Sequence, residues 1–260
     1  MSSAHEWDAA AYQRLSDPQF AWGLRVLDRV PPLCGDETVL DAGVGSGRLT
    51  EVLARKLPHG HVIAVDRSAN MLDEARRRLA DLGDRVTFVQ ADLATFVAST
   101  PVHGVFSTAT FHWILDHDRL FASVYASLRP NGWLVAQCGG LGNLDRFHAR
   151  AERVCHEAPF HDWFRDFEPV WNFQAPEVTS ERLRKAGFVD IQCHLETAPT
   201  PFADEVTFRQ FVQTVVLRAH LARLPDDFTR ERFLDAVVAR AVADGELALD
   251  YVRLNIAARR

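Results

Sequence analysis

The stretch of sequence that decides the fold is VLDAGVGSGRLTEVL, residues 39–53. In it an apolar run ends at Asp41, glycines follow at Gly43, Gly45 and Gly47, and a pattern with helical spacing begins after them. Glycine lets the backbone approach a ligand closely, and a helix N-terminus offers N–H groups that have no partner within the helix. The stretch therefore predicts a strand, a turn and a helix that together hold a nucleotide-like ligand.

Short apolar runs alternate with helical patterns on both sides of this turn. We predict strands at residues 38–41, 61–66, 85–90, 102–107, 133–137, 188–196 and 247–257. Helices are predicted at residues 19–30, 47–57, 69–82, 117–128, 177–186, 204–223 and 228–243. Continuous apolar strands that alternate with helices are typical of βαβ units and of a parallel sheet covered on both faces. The sequence therefore predicts an α/β fold with a doubly wound, seven-stranded, mostly parallel sheet.

The character of the chain changes after Gly139 and Gly140, where residues 141–175 become rich in His, Arg, Trp and Phe. We expect one domain over residues 1–260, because no linker or internal repeat divides the chain. In this interpretation residues 36–140 form the cofactor-binding core. The helical segments 1–30, 141–180 and 200–245 are lid insertions that form a cap over the substrate.

Composition and charge narrow the class of partner. The chain has 260 residues, of which 47% are hydrophobic and 25% charged, and its net charge is −6. This negative net charge argues against a nucleic-acid-binding protein, which usually carries a basic stripe. No apolar run of the sequence approaches the roughly 18 residues that a membrane span needs. The four cysteines form no CxxC pair, which favours free thiols in a reducing cytoplasm. We expect a cytoplasmic protein, a monomer or homodimer, that binds a small molecule and neither nucleic acid nor a membrane.

The spacing of the glycines indicates a ligand without phosphate. The turn reads G-x-G-x-G with the bulky Arg48 in sixth place, whereas a dinucleotide site has G-x-G-x-x-G and a P-loop ends in GK[ST]. Asp41 would repel a pyrophosphate but suits an ammonium group. Asp66 ends the second predicted strand, where a carboxylate can accept hydrogen bonds from both ribose hydroxyls, and Asp92 follows the third. The three acids predict a cationic nucleoside, although each of them, and Asp92 above all, could instead be a helix cap.

Five segments together resemble the class I S-adenosylmethionine-dependent methyltransferases. These are VLDAGVGSG (39–47), VIAVDRSANML (62–72), VQADL (89–93), VFSTATFHWILDH (105–117) and SLRPNGWLV (127–135). The resemblance implies a Rossmann-like methyltransferase fold, S-adenosyl-L-methionine as cofactor and S-adenosyl-L-homocysteine as product. A narrower resemblance, to the type 11 and trans-aconitate methyltransferase groups, rests on Trp7, Tyr12, Trp22, TFHWILDH (110–117) and the ending YVRLNIAARR.

The resemblance also implies which residues contact the cofactor. They are Asp41, Gly43, Gly45, Gly47, Asp66, Arg67, Met71, Asp92, Leu93, Thr108 and Tyr12. The glycines would line the methionine moiety, with Asp41 near its ammonium group and Asp66 on the ribose diol. Arg67 and Met71 would pack on the adenine, whose amine would donate to Asp92 beside Leu93. Thr108 would face the sulfonium side. We expect no metal site, because the histidines form no HxxxH or HEXXH pair.

The acceptor is harder to predict than the cofactor. A carboxylate is ionised at neutral pH and needs no base, whereas a phenol or an amine does, and His112 is then the candidate catalytic residue. Our first expectation is O-methylation of a small carboxylate, with a lid arginine binding the non-reacting oxygen. The alternatives are an O-, N- or C-methyltransferase of a larger secondary metabolite, an NAD(P)-dependent oxidoreductase, and a non-catalytic cofactor-binding module. The Arg and His residues between Arg146 and Arg165 could equally form a solvated helix face.

Overall fold

The computed structural model of the protein describes residues 17–260. Trp7 and Tyr12, which carry part of the narrower resemblance, therefore lie outside the described residues. The described chain forms two compact units. We call the first the sheet unit; it contains the described residues up to Leu141 together with Trp171–Glu196 and Arg253–Arg260. The second, the helical unit, contains Gly142–Val170 and Thr197–Val252.

The sheet unit is built on seven strands that lie side by side. The strands of the described chain are β1 (Thr38–Ala42), β2 (His61–Asp66), β3 (Val86–Gln90), β4 (Val102–Thr108), β5 (Leu128–Gly139), β6 (Val189–Thr197), β7 (Thr200–Pro201), β8 (Ala248–Leu249) and β9 (Val252–Arg259). The sheet has the order β3-β2-β1-β4-β5-β9-β6. Strands β1 to β5 pair in parallel, and β9 runs antiparallel to β5. This topology confirms the predicted doubly wound, mostly parallel sheet.

Helices connect the strands and form most of the helical unit. They are α1 (Asp17–Leu27), α2 (Arg48–Arg55), α3 (Ala69–Arg78), α4 (His117–Ser127), α5 (Asp145–Cys155), α6 (His161–Phe164), α7 (Pro176–Ala186), α8 (Glu205–Phe211), α9 (Arg218–Leu221) and α10 (Asp227–Ala243). Their ends follow local chemistry: the Ser68 hydroxyl accepts a hydrogen bond from the Met71 N–H at the start of α3, and Gly187 ends α7 in the left-handed conformation. Within residues 17–260, no helix is long and apolar enough to span a membrane.

Apolar side chains cover both faces of the sheet. Neighbouring residues of β1 point in opposite directions, so Val39 packs with Leu53 and Phe106 on one face, and Leu40 packs with Phe121 on the other. Because both faces are buried, the strands are continuously apolar and do not alternate with polar residues. The polar residues that could form a site therefore lie at the ends of the strands.

Several sequence-based boundaries differ from the structure, among them the strand predicted at 133–137, which runs over Leu128–Gly139 as β5. The last strand, predicted at 247–257, is wrong as a single element: β8 pairs with β7 and β9 pairs with β5, in separate sheets. Between β8 and β9, the Asp250 carboxylate accepts the Arg146 N–H at 2.8 Å. Asp250 therefore caps the start of α5 and is not part of either strand. The helix predicted at 69–82 ends at Arg78, and the one at 204–223 is interrupted by a π-helix at Val212–Val216.

The helical unit has an aromatic core of its own. Phe160 and Phe233 meet edge to face with ring centroids 5.2 Å apart, and Phe164 stacks on Phe233 at the same distance. Phe147 and Phe208 form a further edge-to-face pair. Such pairs stabilise a small core beyond the area they bury. The assignment of these segments to a lid within a single domain stays a prediction.

Candidate active site

The glycine turn leaves the carboxyl end of β1 and opens α2. Gly43, Gly45 and Gly47 have φ angles of +94°, +53° and +80°, in the left-handed region that favours glycine. A Cβ added to Gly43 would lie 2.1 Å from Oγ1 of Thr110, whereas one added to Gly45 would meet no atom of residues 17–260 within 4 Å. Gly43 therefore packs against the loop after β4, and Gly45 borders open space.

Gly47 has a different setting from the other two glycines. A Cβ at this position would lie 3.3 Å from the Cα of Ala75 on α3, and the residue begins α2 in the left-handed conformation. Its lack of a side chain thus allows α2 and α3 to approach each other. The role of Gly47 beside the methionine moiety stays a prediction.

The Asp66 carboxylate ties the glycine turn to the start of α3. Its Oδ2 accepts the Gly45 N–H at 3.0 Å, and its Oδ1 accepts the Ser68 N–H at 3.0 Å. Burial raises the pKa of Asp66, and the backbone hydrogen bonds and the Arg67 charge act in the opposite direction. The carboxylate is therefore held in one orientation at the carboxyl end of β2, beside the open space at Gly45.

Asp41 lies beneath the turn. The residue is only 3% exposed, and its Oδ2 accepts a hydrogen bond of 2.6 Å from the Thr50 hydroxyl on α2. Burial, together with the negative charge of Asp66, raises the pKa of Asp41 to about 7, although the Thr50 bond lowers it. A carboxyl group with this pKa is partly protonated at neutral pH.

This shift predicts how pH affects the Asp41→Asn variant. The folded protein binds the Asp41 proton with a pKa of about 7, and an unfolded chain binds it with the ordinary aspartate pKa of 3.8. The contribution of this group to stability is therefore complete below pH 3.8 and is lost as the pH rises through 7. We expect Asp41→Asn, which can still accept from Thr50, to raise the free energy of unfolding at pH 8 by roughly 1–3 kcal/mol and by less at pH 5. Urea unfolding of both proteins from pH 5 to 8 measures this, and parallel curves would contradict it.

The residues predicted at the adenine are distributed around the ends of β2 and β3. Arg67 is exposed, and Met71 and Leu93 are 4% and 6% exposed. The Asp92 carboxylate accepts the Ala94 N–H at 2.9 Å, so this acid does cap the turn after β3 while remaining exposed. The contacts of these residues with adenine stay predictions.

His112 lies just after β4, in a short 3₁₀-helix at Phe111–Trp113. Its Nδ1 accepts the Gly139 N–H at 3.2 Å, and its carbonyl oxygen accepts the Asn172 N–H at 2.7 Å. The imidazole ring lies between Trp113, with ring centroids 4.9 Å apart, and Phe173, at 5.6 Å. The residue is 7% exposed, so its ring orientation is defined from several sides.

These contacts determine which proton His112 carries. Burial is the main cause that lowers the pKa of His112 well below its usual value, and the charges of Arg253 and His117 lower it further. The ring is therefore neutral at pH 7, and because Nδ1 accepts a hydrogen bond, the ring proton is assigned to Nε2. In this form His112 offers a hydrogen-bond donor, and its lone pair is already engaged with the backbone.

The loop after β4 is held in a defined conformation next to the glycine turn. Thr108 is half-buried, and its carbonyl oxygen accepts a hydrogen bond of 2.9 Å from the Thr110 hydroxyl. Ala109 has a φ of +53°, and its N–H donates to the Gln137 carbonyl at 2.8 Å. A residue other than glycine is uncommon in the left-handed conformation, and such residues are often found at functional sites.

Arg253 is a candidate functional residue that sequence reasoning missed. Because β9 is antiparallel, its first residues lie at the edge where β4 and β5 end, and Arg253 stands opposite Gly139. The residue is 3% exposed, and its guanidinium carbon lies 4.9 Å from the ring centroid of Trp22. The one available signal was a cation near the start of the otherwise largely apolar run YVRLNIA.

Several Arg and His residues between Arg146 and Arg165 are engaged within the helical unit. Arg150 is 6% exposed and pairs with Asp244 at 2.7 Å and with Glu246. His148 stacks on His220, and burial lowers the pKa of His148 to about 4, so both the cation and the imidazole have internal roles. The residues described in the structure include no group of three or more His, Cys, Asp or Glu side chains arranged to hold a metal.

Comparison with known proteins agrees with this geometry. Residues 39–132 match the family described as "Methyltransferase domain". The chain is 30% identical over 273 residues to the trans-aconitate 2-methyltransferase of Methylobacterium nodulans, covering 98% of each chain. It is also 30% identical to that of Afipia carboxidovorans, covering 98% of this chain and 99% of that one.

Solved structures with much lower identity share the fold. Phosphoethanolamine N-methyltransferase 2 of Haemonchus contortus, in complex with S-adenosyl-L-methionine, has a TM-score of 0.64 and 21% identity. That alignment covers 97% of this chain, which spans 56% of the Haemonchus chain. The YcgJ protein of Bacillus subtilis has a TM-score of 0.64 and 14% identity, with 92% of this chain and 98% of that chain covered.

The chain belongs to the class I S-adenosylmethionine-dependent methyltransferases. It is an enzyme whose cofactor is S-adenosyl-L-methionine and whose product from it is S-adenosyl-L-homocysteine. The alternatives of an NAD(P)-dependent oxidoreductase and of a non-catalytic binding module are therefore set aside. The open space at Gly45 and the oriented Asp66 carboxylate fit a phosphate-free nucleoside cofactor.

Proposed function

We propose that the enzyme transfers a methyl group to a carboxylate oxygen of a small organic acid. The observation that carries this proposal is the hydrogen bond from the Gly139 N–H to Nδ1 of His112. It occupies the lone pair that His112 would need as a general base, and a carboxylate acceptor needs no base. The names of the full-length relatives, trans-aconitate 2-methyltransferases, support the same acceptor class.

The cofactor residues are proposed from the turn and the strand ends. Gly43 and Gly45 would border the methionine moiety, with Gly47 and Asp41 supporting the turn, and Asp66 would accept from the ribose hydroxyls. Around the adenine we assign Arg67, Met71, Asp92 and Leu93, with Thr108 toward the sulfonium and Tyr12 as a further contact. S-adenosyl-L-methionine supplies a methyl group that is already activated on sulfur.

The part played by the protein is mainly positioning. The Nε2–H group of His112 would donate a hydrogen bond to the acceptor carboxylate and keep that group oriented, while Trp113 and Phe173 keep the imidazole ring in place. Positioning a nucleophile and excluding water account for most of the acceleration when the electrophile is already reactive. No proton is taken from the acceptor in this scheme.

Other properties follow from composition. The net charge of −6 favours a small-molecule acceptor over nucleic acid. We propose that the enzyme works in the cytoplasm as a monomer or homodimer, and that residues 141–180 and 200–245 act as its substrate cap.

Incubation of the purified enzyme with methyl-labelled S-adenosyl-L-methionine and trans-aconitate tests the acceptor class. We expect a labelled methyl ester, identified by mass spectrometry and by release of methanol in alkali. With saturating cofactor its rate of formation should vary little between pH 6.5 and 8.5, because no general base titrates. Catechol and a primary amine serve as comparison acceptors. Methylation of either of these, with trans-aconitate left unchanged, would overturn the proposal.

A further inference from the structure

We propose that His117 is a positioning residue of the reaction, whose imidazole holds the 3₁₀-helix Phe111–Trp113 in the conformation that presents His112. This inference rests on the proposed function, in which the Nε2–H group of His112 orients the acceptor. His117 is the first residue of α4. In this role it acts through the backbone of the 3₁₀-helix and touches neither the acceptor nor the cofactor.

A hydrogen bond from His117 fixes the peptide unit that leads into His112. The Nε2 atom of His117 lies 3.0 Å from the carbonyl oxygen of Phe111. A carbonyl oxygen only accepts hydrogen bonds, so the ring proton is assigned to Nε2, which donates. The Phe111 carbonyl and the His112 N–H belong to one planar peptide unit. The bond therefore fixes the plane from which the backbone of His112 begins.

Asn172 holds the same turn from its other side. The backbone N–H of Asn172 donates to the His112 carbonyl at 2.7 Å, and its side-chain amide donates to the Leu115 carbonyl at 2.8 Å. The peptide planes before and after His112 are thus both bonded to residues outside the 3₁₀-helix. Substitution of His117 releases the first of these planes and leaves the second in place.

Aromatic neighbours fix the direction of the His117 ring. Phe121, which lies one turn further along α4, meets the imidazole edge to face with ring centroids 5.6 Å apart. The same phenylalanine meets Phe111 edge to face at 6.1 Å. All three residues are buried. Close packing of this kind leaves the imidazole little freedom to turn, so its Nε2–H group stays directed at the carbonyl.

The second nitrogen of His117 indicates a role beyond packing. Its Nδ1 atom is buried and makes no hydrogen bond with the residues that the structure describes. A leucine would fill a similar space without burying an unpaired polar atom, and the Phe111 carbonyl would keep its 3.0 Å bond from the Ile114 N–H. Packing alone therefore does not require a histidine here, whereas a second donor to the Phe111 carbonyl does.

The surroundings of His117 keep its ring neutral. Burial is the main cause that lowers its pKa, and the charge of Arg182 acts in the same direction. The bond to Phe111 and the charges of Asp116 and Asp118 raise the pKa by less than the other two lower it. At pH 7 the ring thus has one proton, which lies on Nε2, and the donor to the Phe111 carbonyl is present throughout the methylation assay.

Four variants test the role of this bond. His117→Gln keeps a donor, because Nε2 of glutamine takes nearly the place of Nε2 of histidine. His117→Asn is polar but too short to reach the Phe111 carbonyl, and His117→Leu has no donor. The control is His103→Leu. Nδ1 of His103 accepts the Thr38 N–H at 3.1 Å, so the control loses a bond to the backbone at the opposite edge of the sheet.

We expect His117→Leu and His117→Asn to lower kcat for trans-aconitate by about 10- to 50-fold, because a small displacement of an orienting group misaligns the acceptor with the methyl group. The KM for S-adenosyl-L-methionine should change by less than about 3-fold, and the KM for trans-aconitate should rise by less than kcat falls. His117→Gln should recover most of the lost kcat, and His103→Leu should match the wild type. If His117→Leu fails to fold, the comparison of His117→Asn with His117→Gln decides the question.

A second measurement does not depend on the acceptor. In protein with isotope-labelled histidine, the nitrogen resonances of the His112 ring report its tautomer and its hydrogen bonds. We expect these resonances to move in His117→Leu and His117→Asn and to return towards their original positions in His117→Gln. In His103→Leu they should stay in place. Urea unfolding of all variants shows whether a change in kcat merely follows a loss of stability.

The outcomes separate this inference from the function it rests on. A wild type that binds S-adenosylhomocysteine but methylates no carboxylate contradicts the proposed function, and the His112 resonances then still test whether His117 positions the turn. A wild type that methylates trans-aconitate, with His117 variants that keep kcat and the His112 resonances, contradicts only the role of His117. A kcat as low in His117→Gln as in His117→Leu contradicts that role as well, and His117 would then be a core residue that stabilises α4.

Discussion

Replacing Asp66 with alanine is expected to weaken the binding of S-adenosylhomocysteine by at least about 100-fold, because the variant loses several hydrogen bonds to a charged group at once. Two of these bonds hold the protein itself, since Asp66 accepts the N–H groups of Gly45 and Ser68 at 3.0 Å each. The others are those proposed to the ribose hydroxyls. Isothermal titration calorimetry measures the change directly.

Two further variants make this experiment specific. Asp66→Asn has nearly the same shape but presents an NH₂ group in place of one acceptor, so it should also bind poorly. Asp73→Ala is the matched control, because Asp73 is an exposed acid on α3 that pairs with Arg76 at 2.7 Å, and it should bind normally. Normal affinity in Asp66→Ala would show that the cofactor site is assigned to the wrong residues.

Gly43→Ala is expected to lower the free energy of unfolding by about 2–4 kcal/mol, through steric overlap and backbone strain together. The added Cβ would lie 2.1 Å from Oγ1 and 2.6 Å from Cβ of Thr110, and the residue has a φ of +94°. The added methyl group and the Thr110 side chain must therefore move apart, and the turn must shift with them. Chemical denaturation measures the stability, and calorimetry measures the accompanying loss of cofactor binding.

Gly45→Ala and a double variant distinguish the two causes. Gly45 has a φ of +53°, and no described residue lies within 4 Å of an added Cβ. Gly45→Ala should therefore cost only about 1–2 kcal/mol of stability, while its Cβ enters the proposed cofactor space. Gly43→Ala combined with Thr110→Gly should recover part of the stability lost in Gly43→Ala, because the overlap is gone and only the strain remains. If Gly43→Ala is as stable as the wild type, the close packing against Thr110 is not as the structure shows it.

The parts of the site that were predictable are those encoded locally. The turn between Gly43 and Gly47 follows a buried strand and precedes a helix within a few residues, so the local sequence indicated a strand, a turn and a helix. The glycine spacing and the three acids then indicated a phosphate-free ligand, and the family resemblance implied which one. Asp66 was predictable for a similar reason, because the carboxyl ends of parallel strands meet at one edge of the sheet. The family comparison then agreed with the cofactor that these positions indicated.

The acceptor side was not predictable in the same way. The position of Arg253 depends on the antiparallel pairing of β9 with a strand more than a hundred residues earlier in the chain, and no local pattern encodes that register. The protonation of His112 depends likewise on the N–H of Gly139, from a different strand. Contacts between distant segments decide this chemistry, so the sequence could propose His112 as a base but could not show its lone pair engaged.

The aromatic run at residues 159–173 shows how composition can mislead. Its phenylalanines make different contacts. Phe160 and Phe164 pack on Phe233 inside the helical unit, whereas Phe173 lies beside His112 in the sheet unit. Both sets of contacts need a large apolar ring, so residue type does not separate them. Only the point at which the chain passes from one unit to the other, near Trp171, divides the run.

The place of β9 has a consequence for how the protein folds. Among the described strands of this sheet β9 comes last in the sequence, yet it lies between β5 and β6, and no other described strand pairs with β6. Until β9 pairs, the edge of β5 and the whole of β6 therefore have unpaired backbone groups, a state in which strands associate with other chains. Folding intermediates in which β9 is not yet paired should therefore depend on chaperones.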